Sequence, residues 1–329
     1  MKNVAVLGAT GLVGQEVIKI LEQRDFPVNE IFLYASERSE GLKLGFKDRE
    51  IEVLAEYESF MDKVDIVFGC LDATLALDIV PKFAGKSVVI DNSSAFRMAP
   101  DVPLVVPEVN AEKIKEHKGI IANPNCSTIQ MLVPLWPLHK KAKIKRIFVA
   151  TYQSVSGYGK EAVDELKLEH EYLALGQVIE KFPESVFPHP IGANVIPQIG
   201  DFDDLGYTKE ENKMVNETRK IFNDDSILVS PTCVRIPVIC GHSEAVAIEF
   251  ENPITVDEVR GLLKNAAGVK LFENHQDYPV PIQAAGKDEV FVGRIRKDLA
   301  FENGISMWIV ADNVRKGAAL NAVQIAELL

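Results

Sequence analysis

An α/β architecture, a doubly wound parallel sheet followed by a second, α+β domain, is what this sequence predicts, and three observations predict it. The first is a β-branched run at residues 3–7, then Gly8-Ala9-Thr10-Gly11-Leu12-Val13-Gly14, then an amphipathic stretch to Arg24 with Val13, Val17, Ile18 and Leu21 at helical spacing. The second is the alternation that follows: residues 31–35, 64–70 and 87–91 read as buried strands, with a helix over 73–83, and strands alternating with helices imply parallel pairing. The third is a later group of strands at 146–152, 245–250, 290–296 and 305–311, which belongs to a second domain. A last helix over 314–329 closes the chain and returns to the first domain.

The glycine turn explains the first element. Strand, tight glycine turn and helix start bring backbone N–H groups where a pyrophosphate can rest, so Gly8, Thr10, Gly11, Leu12 and Val13 read as cofactor-binding. The second strand ends at Ser36-Glu37-Arg38-Ser39, where a dinucleotide-binding unit places its ribose reader. An Arg between two hydroxyls suits a 2′-phosphate, so Ser36, Arg38 and Ser39 point to NADP, while Glu37 keeps NAD open.

The strand at 87–91 runs into Asp91-Asn92-Ser93-Ser94-Ala95-Phe96-Arg97, a polar loop at the carboxyl end of a strand, which makes Arg97 a candidate anion contact. Next comes Asn123-Pro124-Asn125-Cys126-Ser127-Thr128, a polar turn opening onto the apolar run 129–138. A thiol at a helix start lies near backbone N–H groups and the positive end of the helix dipole, both of which favour the nucleophilic thiolate. The bland alternative for Cys126 is a small buried hydrophobe.

The strand at 146–152 leads into Gln153-Ser154-Val155-Ser156-Gly157-Tyr158-Gly159, a second site loop or else a flexible hairpin before a helix from Lys160. Thr208-Lys209-Glu210-Glu211 is a capping box that starts a helix to about Phe222, with Glu210 and Lys213 on one face. Within 231–243 Arg235 sits in an otherwise apolar strand, where a charge needs a partner or a ligand. Gly241 then gives a bend that presents His242, whose pKa near its ordinary value suits general acid/base work at neutral pH.

Composition excludes other classes. With 329 residues, 47% hydrophobic and 26% charged, the chain is long and apolar enough for two packed domains, which removes disordered and fibrous classes. A net charge of −12 disfavours nucleic acid and anionic membranes as partners. Four cysteines show no paired framework, which fits reduced thiols in a cytoplasmic setting, and Cys233, Cys240 and His242 match no zinc spacing. The first residues do not form a signal peptide. Residues 119–139 lack charges, but three prolines and Gln130 argue against a membrane span.

Taken together, NPNCST, YQSVSGYG, RIPVICGHS, EENKM and SSAFR at their spacing resemble the aspartate-semialdehyde dehydrogenase family over essentially the whole chain. The resemblance implies a Rossmann-like NADP-binding domain over 1–128 and 315–329 and a catalytic and dimerisation domain over 129–314. It implies Cys126 as nucleophile, Gln153 positioning a thioester carbonyl and His242 as acid/base. Arg235 would grip a substrate carboxylate, Glu210 an amino group, and Lys213 a carboxylate or phosphate. Arg97 and Asn125 would hold phosphate. Ser156 and Gly157 would join the cofactor contacts, with Asn321 at the nicotinamide end. The implied reaction is NADPH-dependent reduction of aspartyl phosphate to the semialdehyde, in lysine, threonine and methionine synthesis, by a homodimer or dimer of dimers. Rivals are N-acetyl-glutamyl-phosphate reductase, which has no use for Glu210, malonyl-CoA reductase, an idle nucleotide-binding regulator, and a Cys-His hydrolase, which has no use for the glycine turn.

Overall fold

A computed structural model describes residues 1–329 and divides into two compact units, residues 1–125 with 317–329, and residues 126–316. No helix is long and apolar enough to cross a membrane.

The first unit begins with β1 (Lys2–Leu7), α1 (Leu12–Gln23), β2 (Val28–Tyr34), β3 (Lys43–Phe46), β4 (Arg49–Leu54), β5 (Ile66–Gly69), α2 (Ala73–Phe83), β6 (Val88–Asp91), α3 (Pro107–Asn110) and β7 (Ile120–Ala122). The strands form one sheet in the order β3-β4-β2-β1-β5-β6-β7, parallel except for β3, which pairs antiparallel with β4. Central β1 is a continuous apolar run because both sheet faces are covered: Val4 and Val6 pack with α1 residues Val17 and Leu21, while Ala5 and Leu7 face Ile79, Val80 and Phe83 of α2. Asp72 caps α2 by accepting from the N–H groups of Thr74 and Leu75.

The second unit holds α4 (Cys126–Ala142), β8 (Ile144–Gln153), α5 (Lys160–Ala174), α6 (Lys209–Phe222), β9 (Leu228–Arg235), β10 (His242–Phe250), α7 (Val256–Lys264), β11 (Val269–Leu271), α8 (Pro281–Ala284), β12 (Val290–Lys297) and β13 (Gly304–Ala311). Its sheet runs β11-β12-β13-β10-β8-β9, with β8 parallel to β9 and antiparallel to β10. Helix α4 packs on β8, β10, β12 and β13, and α6 on β9. Alternation on β8 turns Val149, Thr151 and Gln153 inward and leaves Phe148 and Tyr152 on the outer face, 43% and 38% exposed.

Four local outcomes depart from the sequence expectation. The hairpin β3–β4 is absent from it. The loop after β8 is a tight 3₁₀ turn at Val155–Tyr158 rather than a hairpin. The polar strand β10 starts at His242, three residues before the expected strand. The closing segment is not one helix: a π-helical turn at Arg315–Ala319 precedes α9 (Leu320–Glu327), which belongs to the first unit, packing on α1 and pairing Glu327 with Arg24 at 2.6 and 2.7 Å.

Candidate active site

In the first unit the glycines of the β1–α1 turn are required by space. Gly8 has φ +82°, and a Cβ there would lie 2.3 Å from the Cys70 carbonyl oxygen; one on Gly14 would lie 2.2 Å from that of Gly8. Helix α1 starts at Leu12 with Gly11 as its cap and no side-chain hydrogen bond at the cap. That leaves a helix N-terminus shaped for an anion. The Thr10 and Ser39 hydroxyls lie 3.4 Å apart, so the glycine turn and the segment carrying exposed Arg38 meet. These residues fit a dinucleotide: backbone donors for pyrophosphate, hydroxyls and a cation beside it.

Arg97 is buried in the same unit, donating Nε to the Asn123 carbonyl at 2.9 Å and Nη2 to the Asn92 carbonyl at 2.8 Å. Asn123 in turn receives Asn321 Nδ2 on its side-chain oxygen at 2.7 Å, and Asn321 also donates to the Val105 carbonyl at 2.9 Å. The visible work of Asn321 is thus to tie α9 to the loops beneath it. Asn125, also buried, is the last residue of this stretch.

In the second unit the register does the assembling. Because β9 is parallel to β8 and β10 antiparallel, Gln153, Arg235 and His242 all fall at one end of the sheet: Gln153 stands opposite Arg235, and Ser243 opposite Tyr152. All three are buried on the inward face. Cys126 heads α4 as its first residue, as the sequence predicts, close enough to Arg235 for their charges to interact.

Helix α6 adds the other charges. Thr208 and Glu211 form the expected capping box, which turns Glu210 inward in the first turn. Its carboxylate accepts Gln153 Nε2 at 3.1 Å on one oxygen and Lys213 Nζ at 3.0 Å on the other. The Thr151 hydroxyl donates to Gln153 Oε1 at 3.0 Å, so the two neighbours fix which way the Gln153 amide points. Arg235 Nη1 donates to the Ser154 carbonyl at 2.6 Å.

His242 differs from the sequence expectation. Burial, reinforced by the Arg235 guanidinium, pushes its pKa down to about 3, so the imidazole is neutral at pH 7. Ser154 N–H donates to its Nδ1 at 3.0 Å, and its Nε2 is buried with no hydrogen-bond partner. A Cβ on Gly157 would come within 3.1 Å of both that Nε2 and Arg235 Nη1. Any side chain at 157 would therefore crowd both His242 Nε2 and Arg235 Nη1, and glycine avoids this.

Sequence reasoning missed Thr151, Ser154 and Asn313. Asn313 Oδ1 accepts Gly241 N–H at 2.9 Å and its Nδ2 donates to the Ser156 hydroxyl at 3.0 Å. A polar pair, Asp312-Asn313, directly after an apolar strand was the available signal. Ser156 is accordingly engaged within the second unit.

Two family models cover the chain: "Semialdehyde dehydrogenase, NAD binding domain" over residues 3–117 and "Semialdehyde dehydrogenase, dimerisation domain" over 135–316. Together with a parallel nucleotide-type sheet, they define the class, an oxidoreductase acting on aldehydes. At 56% identity over 99% of this chain and 97% of its relative, it matches aspartate-semialdehyde dehydrogenase of Aquifex aeolicus. A crystal structure of aspartate semialdehyde dehydrogenase II from Vibrio cholerae complexed with ASA superposes with a TM-score of 0.97 at 50% identity, covering 100% of this chain and 98% of that one. The Candida albicans enzyme with NADP gives 0.75 at 28%, with coverage of 100% and 98%. The chain belongs to the aspartate-semialdehyde dehydrogenase family.

Proposed function

We propose that the protein catalyses NADPH-dependent reduction of L-aspartyl 4-phosphate to L-aspartate 4-semialdehyde through a thioester on Cys126. The observation that carries this is the convergence of buried Gln153, Glu210, Arg235 and His242, with half-buried Lys213 on Glu210, in the unit that Cys126 heads. The substrate carries a carboxylate, an ammonium and a phosphate, and the cluster offers two cations, a carboxylate and the unpartnered His242 Nε2.

In the roles assigned, Arg235 binds the α-carboxylate and Glu210 the ammonium, which joins Lys213 as a partner of that carboxylate. Cys126 Sγ forms a bond to the acyl carbon, the C–O bond to phosphate breaks, and phosphate leaves with the electron pair and takes one proton from solvent. Lys213 and, in the first unit, Arg97 and Asn125 serve the phosphate. Gly8, Thr10, Gly11, Leu12, Val13, Ser36, Arg38 and Ser39, with Ser156, Gly157 and Asn321 as further contacts, would hold the cofactor, which in its reduced form, NADPH, would supply hydride to the thioester carbon and be left as NADP. Gln153 and His242 Nε2–H bind the oxygen as negative charge gathers on it. The C–S bond then breaks, the electrons return to Sγ, and the aldehyde departs. A homodimer built on the second unit is part of this reading, supported by the name of the matching domain model.

The test runs the reaction backwards: purified protein with NADP, aspartate semialdehyde and phosphate, beside N-acetyl-glutamate semialdehyde and a phosphate-free control. Phosphate-dependent NADPH formation with the free amino aldehyde alone is expected. Turnover only with the acetylated compound would overturn the assignment.

A further inference from the structure

We infer that Glu244 and Gln130 are positioning residues: Glu244, as a carboxylic acid, and the Gln130 amide form a ring of two hydrogen bonds that fastens the first turns of α4, and with them Cys126, onto the strand that His242 begins. The inference rests on the reaction proposed above for the importance of Cys126, but the ring itself does not depend on it.

Three buried oxygens point to the ring. Gln130 and Glu244 are both fully buried, and their side chains face each other where α4 packs on β10. Gln130 Oε1 and both oxygens of Glu244 have no hydrogen-bond partner. An amide oxygen and a carboxylate can only accept, so with Glu244 ionised the pair holds no donor for Gln130 Oε1. One proton changes the count. The acid O–H donates to the amide oxygen and the amide N–H donates to the acid carbonyl, which uses all three oxygens.

The surroundings offer no alternative partner. Glu244 stands opposite Thr151 on β8 and Ile309 on β13, with the Cys233 thiol of β9 nearby. The Thr151 hydroxyl is already given to Gln153 Oε1 at 3.0 Å, burial pushes the Cys233 thiol up, and no cation stands among these neighbours to hold a carboxylate. Burial accordingly favours the neutral acid.

The ring's place gives it a role. Gln130 lies one turn beyond Cys126 on the same face of α4, and its Nε2 also reaches toward the His242 carbonyl oxygen, 3.5 Å away. Apolar contacts hold α4 on the sheet without direction, whereas a two-bond ring fixes where along β10 the helix begins.

The test is infrared difference spectroscopy at pH 7 on the full protein without substrate, wild type minus Glu244→Gln. A protonated-carboxyl stretch is expected in wild type and absent from the variant, and Gln130→Met, which removes the partner, should move that stretch to higher frequency. Glu244→Gln can close the same ring as amide on amide, so it should keep wild-type kcat and wild-type alkylation of Cys126 by iodoacetamide, read against a Cys126→Ala control. Glu244→Met fills the space without the ring: kcat is expected to fall about 10- to 100-fold with KM little changed, and the alkylation rate to fall with it. If that variant does not fold, Gln130→Met carries the same comparison of rates. The absence of a carboxyl stretch at pH 7 would overturn the inference, as would a stretch that Gln130→Met leaves in place or wild-type rates without the ring. Because the spectrum and the alkylation need no turnover, a failed aldehyde assay would sink the proposed reaction while leaving the ring to be read on its own.

Discussion

Glu244, two residues beyond His242 and on the same face of β10, is a fully buried carboxyl. It stands opposite Thr151 on β8 and Ile309 on β13, with Gln130 of α4 and the Cys233 thiol of β9 facing it. Neither of its oxygens has a hydrogen-bond partner when read as a carboxylate, and burial pushes its pKa well above the usual range. The sign follows: unfolded, the group ionises as pH rises past about 4.3, while folded it resists, so folding loses stability from there upward to the folded pKa. Glu244→Gln removes that loss. The variant should melt higher than wild type at pH 7, by about 2–4 °C for each kcal/mol recovered, with the gap closing near pH 4. Equal melting temperatures at both pH values would show the carboxyl to be ionised or solvated. Arg235 was legible because it breaks an apolar run, Cys126 because it stands in a polar turn that opens onto one, and His242 because it follows a glycine bend. Glu244 and Asn313 were not, because what they do depends on which strand lies beside them, and register is not written in one strand.

Among the elements, the helix over 73–83 and the capped helix after Thr208 were read with correct ends, the second because the Thr208 capping box is displayed in the sequence. The β3–β4 hairpin was missed because Lys43, Asp48, Arg49, Glu50 and Glu52 make it look like a solvated loop. The π-helical turn before α9 was hidden by continuous helical periodicity through 314–329. The β1–α1 turn carries a testable consequence with the segment that meets it. Arg38→Ala should raise KM for NADP about 10- to 100-fold, the worth of one charge-assisted hydrogen bond, and leave KM for NAD nearly unchanged. Equal effects on both cofactors would place Arg38 away from the 2′-phosphate.

For the whole molecule, the division into two units puts the glycine turn in one unit and Cys126 in the other. Cys126→Ala should therefore lower turnover by more than about 10³-fold while leaving NADP affinity, measured by fluorescence titration, intact. Loss of both together would make the cysteine structural. The fold class and the two-part organisation were legible from the glycine turn and the strand alternation. The split itself, at 125 and 317, was not visible to the residue, because no change of composition marks it.

That split has a consequence for synthesis. Leu320, Val323, Ile325 and Ala326 complete the core beneath Val17 and Leu21 in a unit whose other strands were made long before. At about 5–20 residues per second, roughly 10–40 s of translation pass between Asn125 and the arrival of α9. During that interval the apolar stripe on α1 lacks the α9 side chains that cover it in the folded unit.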